Sequence, residues 1–243
     1  MRWDVKKMGV EHFIFLSMKK NVYFCGMKTN DNMAVQMANF LLQVKAIKLN
    51  NEHPFTWASG RKSPIYCDNR VTLSYPEIRT FIRQSFVEVI NKTWCGIDVI
   101  AGVATGGIAQ GALVAQELGL PFVYVRSEAK SHGLTNQIEG EIHEGQSVVV
   151  IEDLVSTGKS SLIAVNALRE RGCNVKGMVA IFTYGLDVAA KNFEDANVEL
   201  HTLTNYDTLI EVACQEEYIR AADQESLANW RKNPEAWSDA HMA

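Results

Sequence analysis

Paired cysteines are missing from this sequence. Its five cysteines are an odd number, lie far apart and form no CxxC pair. This spacing argues against a disulfide framework or a zinc site and indicates a reduced, cytoplasmic protein. Long apolar runs are missing as well: no stretch approaches the roughly 18 residues of a membrane span. The apolar run at 13–16 is too short for the core of a signal peptide. The sequence therefore predicts a cytoplasmic protein that has no membrane partner.

An excess of positive charge is also missing. The net charge is −4; residues 1–30 hold six basic and two acidic residues, a balance of +4, so the remainder carries −8. A general nucleic-acid binder would show a basic patch or stripe, and this acidic body argues against a nucleic-acid partner. A substrate rich in phosphate would have to be held by a few local cations, by backbone amides and by a metal ion.

What is present is an alternation of strand and helix patterns. Apolar runs predict strands at 99–103, 122–125, 148–151, 175–182 and 198–203. Helical patterns fall between or after them at 107–118, 158–171, 186–193 and 208–215. This alternation predicts an α/β fold with a central parallel sheet flanked by helices on both faces.

The segments before the sheet differ in character. The spacing predicts a helix over 33–49, a pair of short strands at 54–60 and 63–68, and a proline-initiated helix over 76–94. The polar stretch 127–145 is too long for an ordinary connection and is typical of a functional loop. The predicted organisation is a poorly ordered extension at 1–33, small N-terminal elements at 34–75, a core at 76–215 and a partly helical C-terminal tail at 216–243.

The most informative segment is 148–160, in which an apolar strand runs into Glu152 and Asp153, then a small polar turn, then a helix. The N-terminus of a helix leaves backbone N–H groups unpaired, and its dipole favours anions. Small residues in the turn let a phosphate approach those amides, and Ser156, Thr157 and Ser160 add hydroxyl donors. The segment therefore predicts a phosphate-binding loop.

Three interpretations of this loop compete. A plain strand–turn–helix with a Ser or Thr cap is one. A Walker A loop would require glycine five positions before the Gly158-Lys159 pair, where this chain has the negative charge of Asp153. The third is the motif for phosphoribosyl pyrophosphate (PRPP) in the type I phosphoribosyltransferases, which the segment closely resembles. That resemblance implies ribose contacts from Glu152 and Asp153, and a phosphate loop formed by Leu154, Val155, Ser156, Thr157, Gly158, Lys159 and Ser160.

Two further segments resemble the orotate phosphoribosyltransferases within that family. Residues 124–133, with Arg126, Lys130 and His132, are similar to their flexible catalytic loop. The resemblance implies that these three residues bind pyrophosphate and that Lys130, His132 and Asp153 are catalytic. A solvated charged loop is the plain alternative. Some relatives have additional lysines where this chain has neutral residues. Arg126, Lys130 and His132 would then supply more of the positive charge that binds pyrophosphate.

The second segment, 55–60 with 63–70, resembles the N-terminal hood that covers the base in that family. Trp57 and Tyr66 could stack on a pyrimidine ring, or could belong to the core. Arg70 is the candidate for the orotate carboxylate because arginine offers a fork of two parallel donors. Alternatively, Arg70 pairs with Asp68. The run 102–107 is also a degenerate match to a dinucleotide fingerprint, which is weak evidence for such a site.

The resemblance implies the type I phosphoribosyltransferase fold with a small hood, and a homodimer in which the active loop is shared across subunits. It implies PRPP and orotate as substrates, orotidine 5′-monophosphate and pyrophosphate as products, and Mg²⁺ bound mainly through PRPP, with no dedicated protein cage. Two alternatives remain. A purine or uracil phosphoribosyltransferase would share the PRPP motif, and a PRPP-sensing regulator would keep the phosphate loop without catalysis.

Overall fold

The computed structural model describes residues 29–57, 59–126 and 137–242. Met33–Ala243 is the second of the two units into which the chain divides, and it holds all the described elements except the first residues of α1. The helices are α1 (Thr29–Gln43), α2 (Pro76–Thr93), α3 (Gly106–Leu118), α4 (Lys159–Glu170), α5 (Asp187–Asp195), α6 (Tyr206–Gln215), α7 (Gln224–Lys232) and α8 (Pro234–Ala240). The strands are β1 (Ile47–Leu49), β2 (Phe55–Thr56), β3 (Lys62–Ser63), β4 (Ile65–Cys67), β5 (Val99–Val103), β6 (Phe122–Val125), β7 (Ile138–Glu139), β8 (Ser147–Val155), β9 (Asn174–Thr183) and β10 (Leu200–Asn205).

A six-stranded sheet in the order β10-β9-β8-β5-β6-β7 forms the centre of the fold. Strands β5, β6, β8, β9 and β10 run parallel, and β7 is antiparallel to β6. The predicted parallel α/β sheet is therefore confirmed. The polar stretch expected to be loop throughout contributes the edge strand β7, in which Ile138 is buried beside Val125.

Both faces of this sheet are covered, as the continuous apolar runs predict. All five residues of β5 are buried. Ile100 belongs to one apolar cluster, whereas Val99 and Ala101 belong to the other. Successive strand residues point to opposite faces, so a strand buried on both faces must be apolar at every position. The predicted helices of the core appear within a few residues of their expected bounds.

The helix predicted over 33–49 is wrong at its end. Helix α1 stops at Gln43, and Lys45 has a left-handed backbone with φ 56°. Ile47–Leu49 instead forms β1, which pairs antiparallel with β4. The buried side chain of Ile47 continues the apolar spacing of the helix although the backbone has become a strand. Periodicity over so few residues does not separate the two structures.

The two short strands predicted before the core do not form a single hairpin. Strand β2 pairs antiparallel with β3 across a turn in which Gly60 has φ 83°, while β4 pairs with β1. Pro64 separates β3 from β4, and proline lacks the N–H group that a strand ladder needs. We call 47–67, containing β1 to β4, the hood.

The C-terminal segment packs on the hood and on the core. Trp230 of α7 is fully buried, and its ring centre lies 5.9 Å from that of Trp57 and 5.5 Å from that of Tyr184. The hydroxyl of Ser238 in α8 accepts a hydrogen bond of 2.9 Å from the backbone N–H of Lys62 in β3. Helices α7 and α8 thus attach the hood to the end of β9.

Two general properties follow from the described part of the chain. No helix there combines the length and the apolar content that crossing a bilayer requires. The cysteines it contains, Cys67, Cys95, Cys173 and Cys214, are all free thiols.

Candidate active site

A cleft of about 590 Å³ opens where the parallel strands β5 and β8 end. Its walls come from three parts of the chain: Cys67, Asp68 and Arg70 at and just after the end of the hood, residues 103–106 at the end of β5, and residues 152–154 and 156–160 at and after the end of β8. The peptide bond between Ala104 and Thr105 is cis. Ligands of open α/β sheets bind outside the carboxyl ends of the strands, and this cleft occupies that position.

The turn between β8 and α4 is shaped as the sequence predicts. Gly158, the cap residue just before α4, has φ 79°, a left-handed conformation that glycine adopts readily. A Cβ atom there would also lie 2.7 Å from the ring of Phe193. The side chain of Asn192 in α5 donates a hydrogen bond of 2.9 Å to the carbonyl of Thr157. The turn is thereby fixed with the N-terminus of α4 directed at the cleft.

Glu152 is buried, with 4% of its surface exposed. Its Oε2 accepts a hydrogen bond of 2.9 Å from the hydroxyl of Ser161, and its Oε1 accepts one of 3.0 Å from the backbone N–H of Asp153. Burial, and secondarily the neighbouring charge of Asp153, raises the pKa of Glu152 well above its usual value. Both carboxyl oxygens therefore make contacts within the protein, which leaves Asp153 as the more available acid.

Asp153 lies against Gly106 at the start of α3. A Cβ atom at Gly106 would stand 2.1 to 2.3 Å from the carboxyl atoms of Asp153. The carbonyl of Asp153 accepts a hydrogen bond of 2.6 Å from the side chain of Asn69. Sequence reasoning missed the contacts with Asn69 and Ser161: Asn69 lies in the segment that resembles the hood, but nothing there singles it out, and Ser161 lies just after the phosphate-loop motif.

The hood side of the cleft carries an ion pair. Nε of Arg70 donates a hydrogen bond of 2.8 Å to Oδ1 of Asp68, and the Arg70 guanidinium lowers the pKa of Asp68. The alternative considered for Arg70, a pair with Asp68, is therefore present, although Arg70 also lines the cleft. Whether Arg70 binds a carboxylate of the substrate stays a prediction.

The predicted aromatic residues separate into two environments. Trp57 belongs to the core: its Nε1 donates to the carbonyl of Ile65, and its ring lies 5.7 Å from that of Tyr184. Tyr66 is 41% exposed, contacts Phe55 with ring centres 5.8 Å apart, and is not among the residues that line the cleft. A binding role for Tyr66 stays a prediction.

The remaining predicted residues have different positions. Leu154 lines the cleft, whereas Val155 is fully buried beneath it. Nη1 of Arg126 lies 3.6 Å from a carboxyl oxygen of Glu139, and the backbone N–H of Arg126 donates to the carbonyl of Gln137. Lys130 and His132 lie outside the described residues. Across the described residues, no group of three or more His, Cys, Asp or Glu side chains is arranged to hold a metal ion.

Comparison with known proteins identifies the family. Residues 74–217 match the family model of the phosphoribosyl transferase domain. An orotate phosphoribosyltransferase of Porphyromonas gingivalis is 59% identical over 201 residues, which are 83% of this chain and 96% of the relative. The chain belongs to the orotate phosphoribosyltransferase family.

Further members of the orotate phosphoribosyltransferase family match this chain over nearly their whole length. The enzyme of Listeria monocytogenes is 57% identical over 202 residues, 83% of this chain and 97% of the relative. The crystal structure of orotate phosphoribosyltransferase from Aeropyrum pernix superimposes with a TM-score of 0.66 at 29% identity, covering 76% of this chain and 99% of that one. The type I phosphoribosyltransferase fold expected from the sequence is thus confirmed.

Proposed function

We propose that this chain is a Mg²⁺-dependent orotate phosphoribosyltransferase, which transfers ribose 5-phosphate from PRPP to orotate in pyrimidine biosynthesis. In the reaction, N1 of orotate forms a bond to C1 of the ribose while the bond from C1 to pyrophosphate breaks. The N1 proton passes to solvent or to the departing pyrophosphate. The observation that carries the proposal is the single cleft shared by Asp153 and the N-terminus of α4.

The turn 156–160 binds the 5-phosphate. Unpaired N–H groups at a helix start and the helix dipole favour an anion, and small side chains allow it to approach the backbone. Ser156, Thr157 and Ser160 add hydroxyl donors, and Lys159 adds a positive charge at the same wall of the cleft. The bond from Asn192 to Thr157 keeps these donors in position before the substrate arrives.

Asp153 stabilises the positive charge that develops on the ribose. Loss of pyrophosphate gives the ribose an oxocarbenium-like character, as in glycoside hydrolysis. A carboxylate held beside that carbon stabilises the positive charge as it develops. Glu152 supports Asp153 by accepting its backbone N–H, and it contacts the ribose from the same edge of the cleft.

The charges of the cleft support a role for Mg²⁺. Three carboxylates, those of Asp68, Glu152 and Asp153, line it together with two cations, Arg70 and Lys159. Because burial raises the pKa of Glu152, the charges of Asp68 and Asp153 balance those of Arg70 and Lys159, and a substrate with several phosphates would meet no net positive charge there. Mg²⁺ prefers oxygen ligands and commonly binds through one or two carboxylates and the substrate phosphates. Asp153 fits that donor set, and the ion when bound would neutralise the phosphate oxygens.

The pyrophosphate is bound by Arg126, Lys130 and His132, and Lys130 and His132 are catalytic together with Asp153. The loop that carries them serves the neighbouring subunit in a two-fold homodimer. The enzyme works in the cytoplasm.

On the hood side, Arg70, Tyr66 and the hydroxyl of Ser156 contact the orotate. Thus the turn 156–160 binds the 5-phosphate, the hood side binds the orotate, and the loop binds the pyrophosphate.

Release of pyrophosphate from PRPP tests the function directly. Purified protein should release pyrophosphate with Mg²⁺ and orotate, and not with uracil, adenine or hypoxanthine in place of orotate. Asp153→Asn serves as the negative control. Release with uracil or a purine instead would identify a different phosphoribosyltransferase. No release with any base, together with binding of PRPP, would identify a regulator.

A further inference from the structure

The backbone of Asp153 is held on both sides. Its N–H donates to Oε1 of Glu152 at 3.0 Å, and its carbonyl accepts from Nδ2 of Asn69 at 2.6 Å. Strand β8 pairs with β5 only as far as Ile151, opposite Gly102. Strand β5 itself ends at Val103, before it reaches the level of Asp153, and the side chain of Asn69 supplies the donor for the carbonyl of Asp153.

Asn69 is itself fixed in one orientation. It is 2% exposed, and its Oδ1 accepts a hydrogen bond of 3.3 Å from the thiol of Cys67. A carbonyl oxygen can only accept, so the amide group facing Asp153 must be the NH₂ group. Burial raises the pKa of the Cys67 thiol, which keeps the proton that it donates. Rotating the amide by half a turn would place its oxygen against the carbonyl of Asp153 and lose that hydrogen bond.

From these contacts we propose that Asn69 is a positioning residue for the transfer reaction, acting through Asp153. The two hydrogen bonds fix the peptide groups before and after Asp153, and these set the direction of its side chain. The carboxylate of Asp153 thereby lies against Gly106 and lines the cleft. Cys67, at the end of hood strand β4, orients the amide, so the hood and the ribose side of the cleft are linked through Asn69.

This proposal rests on the proposed function and differs from a purely structural role. A buried asparagine that only satisfied a backbone carbonyl would contribute to stability and leave the turnover of the folded enzyme unchanged. A residue that aims Asp153 affects a contact made in the transition state. Its loss should then lower kcat while the KM values for PRPP and orotate change little.

The test uses two substitutions in the full chain. Asn69→Ala removes the whole amide, whereas Asn69→Asp keeps the volume and the acceptor for Cys67 but loses the N–H donor. Both should lower kcat by about tenfold or more, since small misplacements of reacting groups cost factors of this order. Thr72→Val is the matched control. It removes the 2.6 Å bond from the Thr72 hydroxyl to the carbonyl of Asn69 in the same 3-10 turn, Asn69–Ser74.

Steady-state kinetics and melting temperatures are measured for all variants below their unfolding temperatures. Low kcat in both Asn69 variants with near-normal kcat in Thr72→Val supports the proposal. Normal kcat in Asn69→Asp, or an equal fall in Thr72→Val at equal loss of stability, overturns it. If Asn69→Ala does not fold, Asn69→Asp decides the question. A wild-type protein that makes no orotidine 5′-monophosphate would instead contradict the proposed function itself.

Discussion

Gly106 leaves the space that the carboxylate of Asp153 occupies. A Cβ atom at Gly106 would lie 2.1 to 2.3 Å from the three carboxyl atoms, closer than any side chain tolerates. Asp153, which we place beside the ribose, therefore packs directly against Gly106, the first residue of α3. This contact joins the ends of β5 and β8, the two strands between which the cleft opens.

Gly106→Ala should consequently displace the carboxylate of Asp153. We expect kcat to fall by roughly 10- to 100-fold, because a displaced catalytic group loses most of its effect. Gly111→Ala is the control on the same helix, since its added Cβ would meet the ring of Phe122 at 2.7 Å and not the cleft. Kinetics of both variants check the prediction, and unchanged turnover in Gly106→Ala would show that Asp153 acts from another position.

Glu152 should make the stability of the enzyme depend on pH. Burial and the charge of Asp153 raise the pKa of Glu152 in the folded chain. As pH rises above about 4.3, the unfolded chain releases this proton while the folded chain keeps it. The free energy of unfolding therefore decreases from that pH up to the raised pKa, because the unfolded state binds fewer protons.

Glu152→Gln removes this dependence, because glutamine does not ionise and can still accept from the N–H of Asp153 and contact Ser161. The variant should gain stability relative to wild type as pH rises from about 4.3, with a constant difference above the raised pKa. Urea unfolding between mildly acidic and neutral pH measures the difference. Glu211→Gln, at an exposed position of α6, controls for net charge. A difference independent of pH would contradict the raised pKa.

Trp230 should hold the hood to the core. It is fully buried against Trp57, Tyr184 and Tyr206. Trp230→Ala should cost about 3–5 kcal/mol of unfolding free energy, as expected for loss of a large buried ring. Trp230→Phe keeps an aromatic ring and should lose less. Denaturant unfolding measures both. If Trp230→Ala unfolds at the wild-type denaturant midpoint, α7 contributes little to the fold.

The sequence was sufficient for the sheet and the phosphate turn because both are local patterns. Strands β5, β6, β8 and β9 each contain a short apolar run, and the turn 156–158 lies directly between its strand and its helix. The pairing of β1 with β4, the burial of Trp230 and the bond from Asn69 to Asp153 were not predictable in this way. Asn69 and Asp153 are 84 positions apart. Only the folded chain brings such residues together, and no periodicity marks them in advance.

Arg70 tests how the orotate carboxylate is recognised. Its Nε pairs with Asp68, and the residue lines the cleft, so the rest of its guanidinium could meet a substrate carboxylate. Lysine would keep the charge and lose the fork of parallel donors. Arg70→Lys should therefore raise KM for orotate more than KM for PRPP. Equal effects on the two substrates would assign Arg70 to the ion pair with Asp68 alone.

The proposed homodimer can be tested by mixing two inactive proteins. Asp153→Asn should lose roughly 10²-fold in turnover, by analogy with the loss of one electrostatic stabiliser. Lys130→Ala should be inactive for a different reason, since Lys130 would reach the neighbouring subunit. In a mixed dimer one of the two sites then has both residues intact. Random exchange of equal amounts should restore roughly one quarter of the sites.

Differently tagged chains show whether subunits have exchanged, and pyrophosphate release measures the recovery. Each variant exchanged with itself is the control and should stay inactive. Recovery in the mixture requires that Lys130 and Asp153 in one site come from different chains, because neither parent supplies both. Complete exchange without any recovery would mean that Lys130 serves the site of its own subunit.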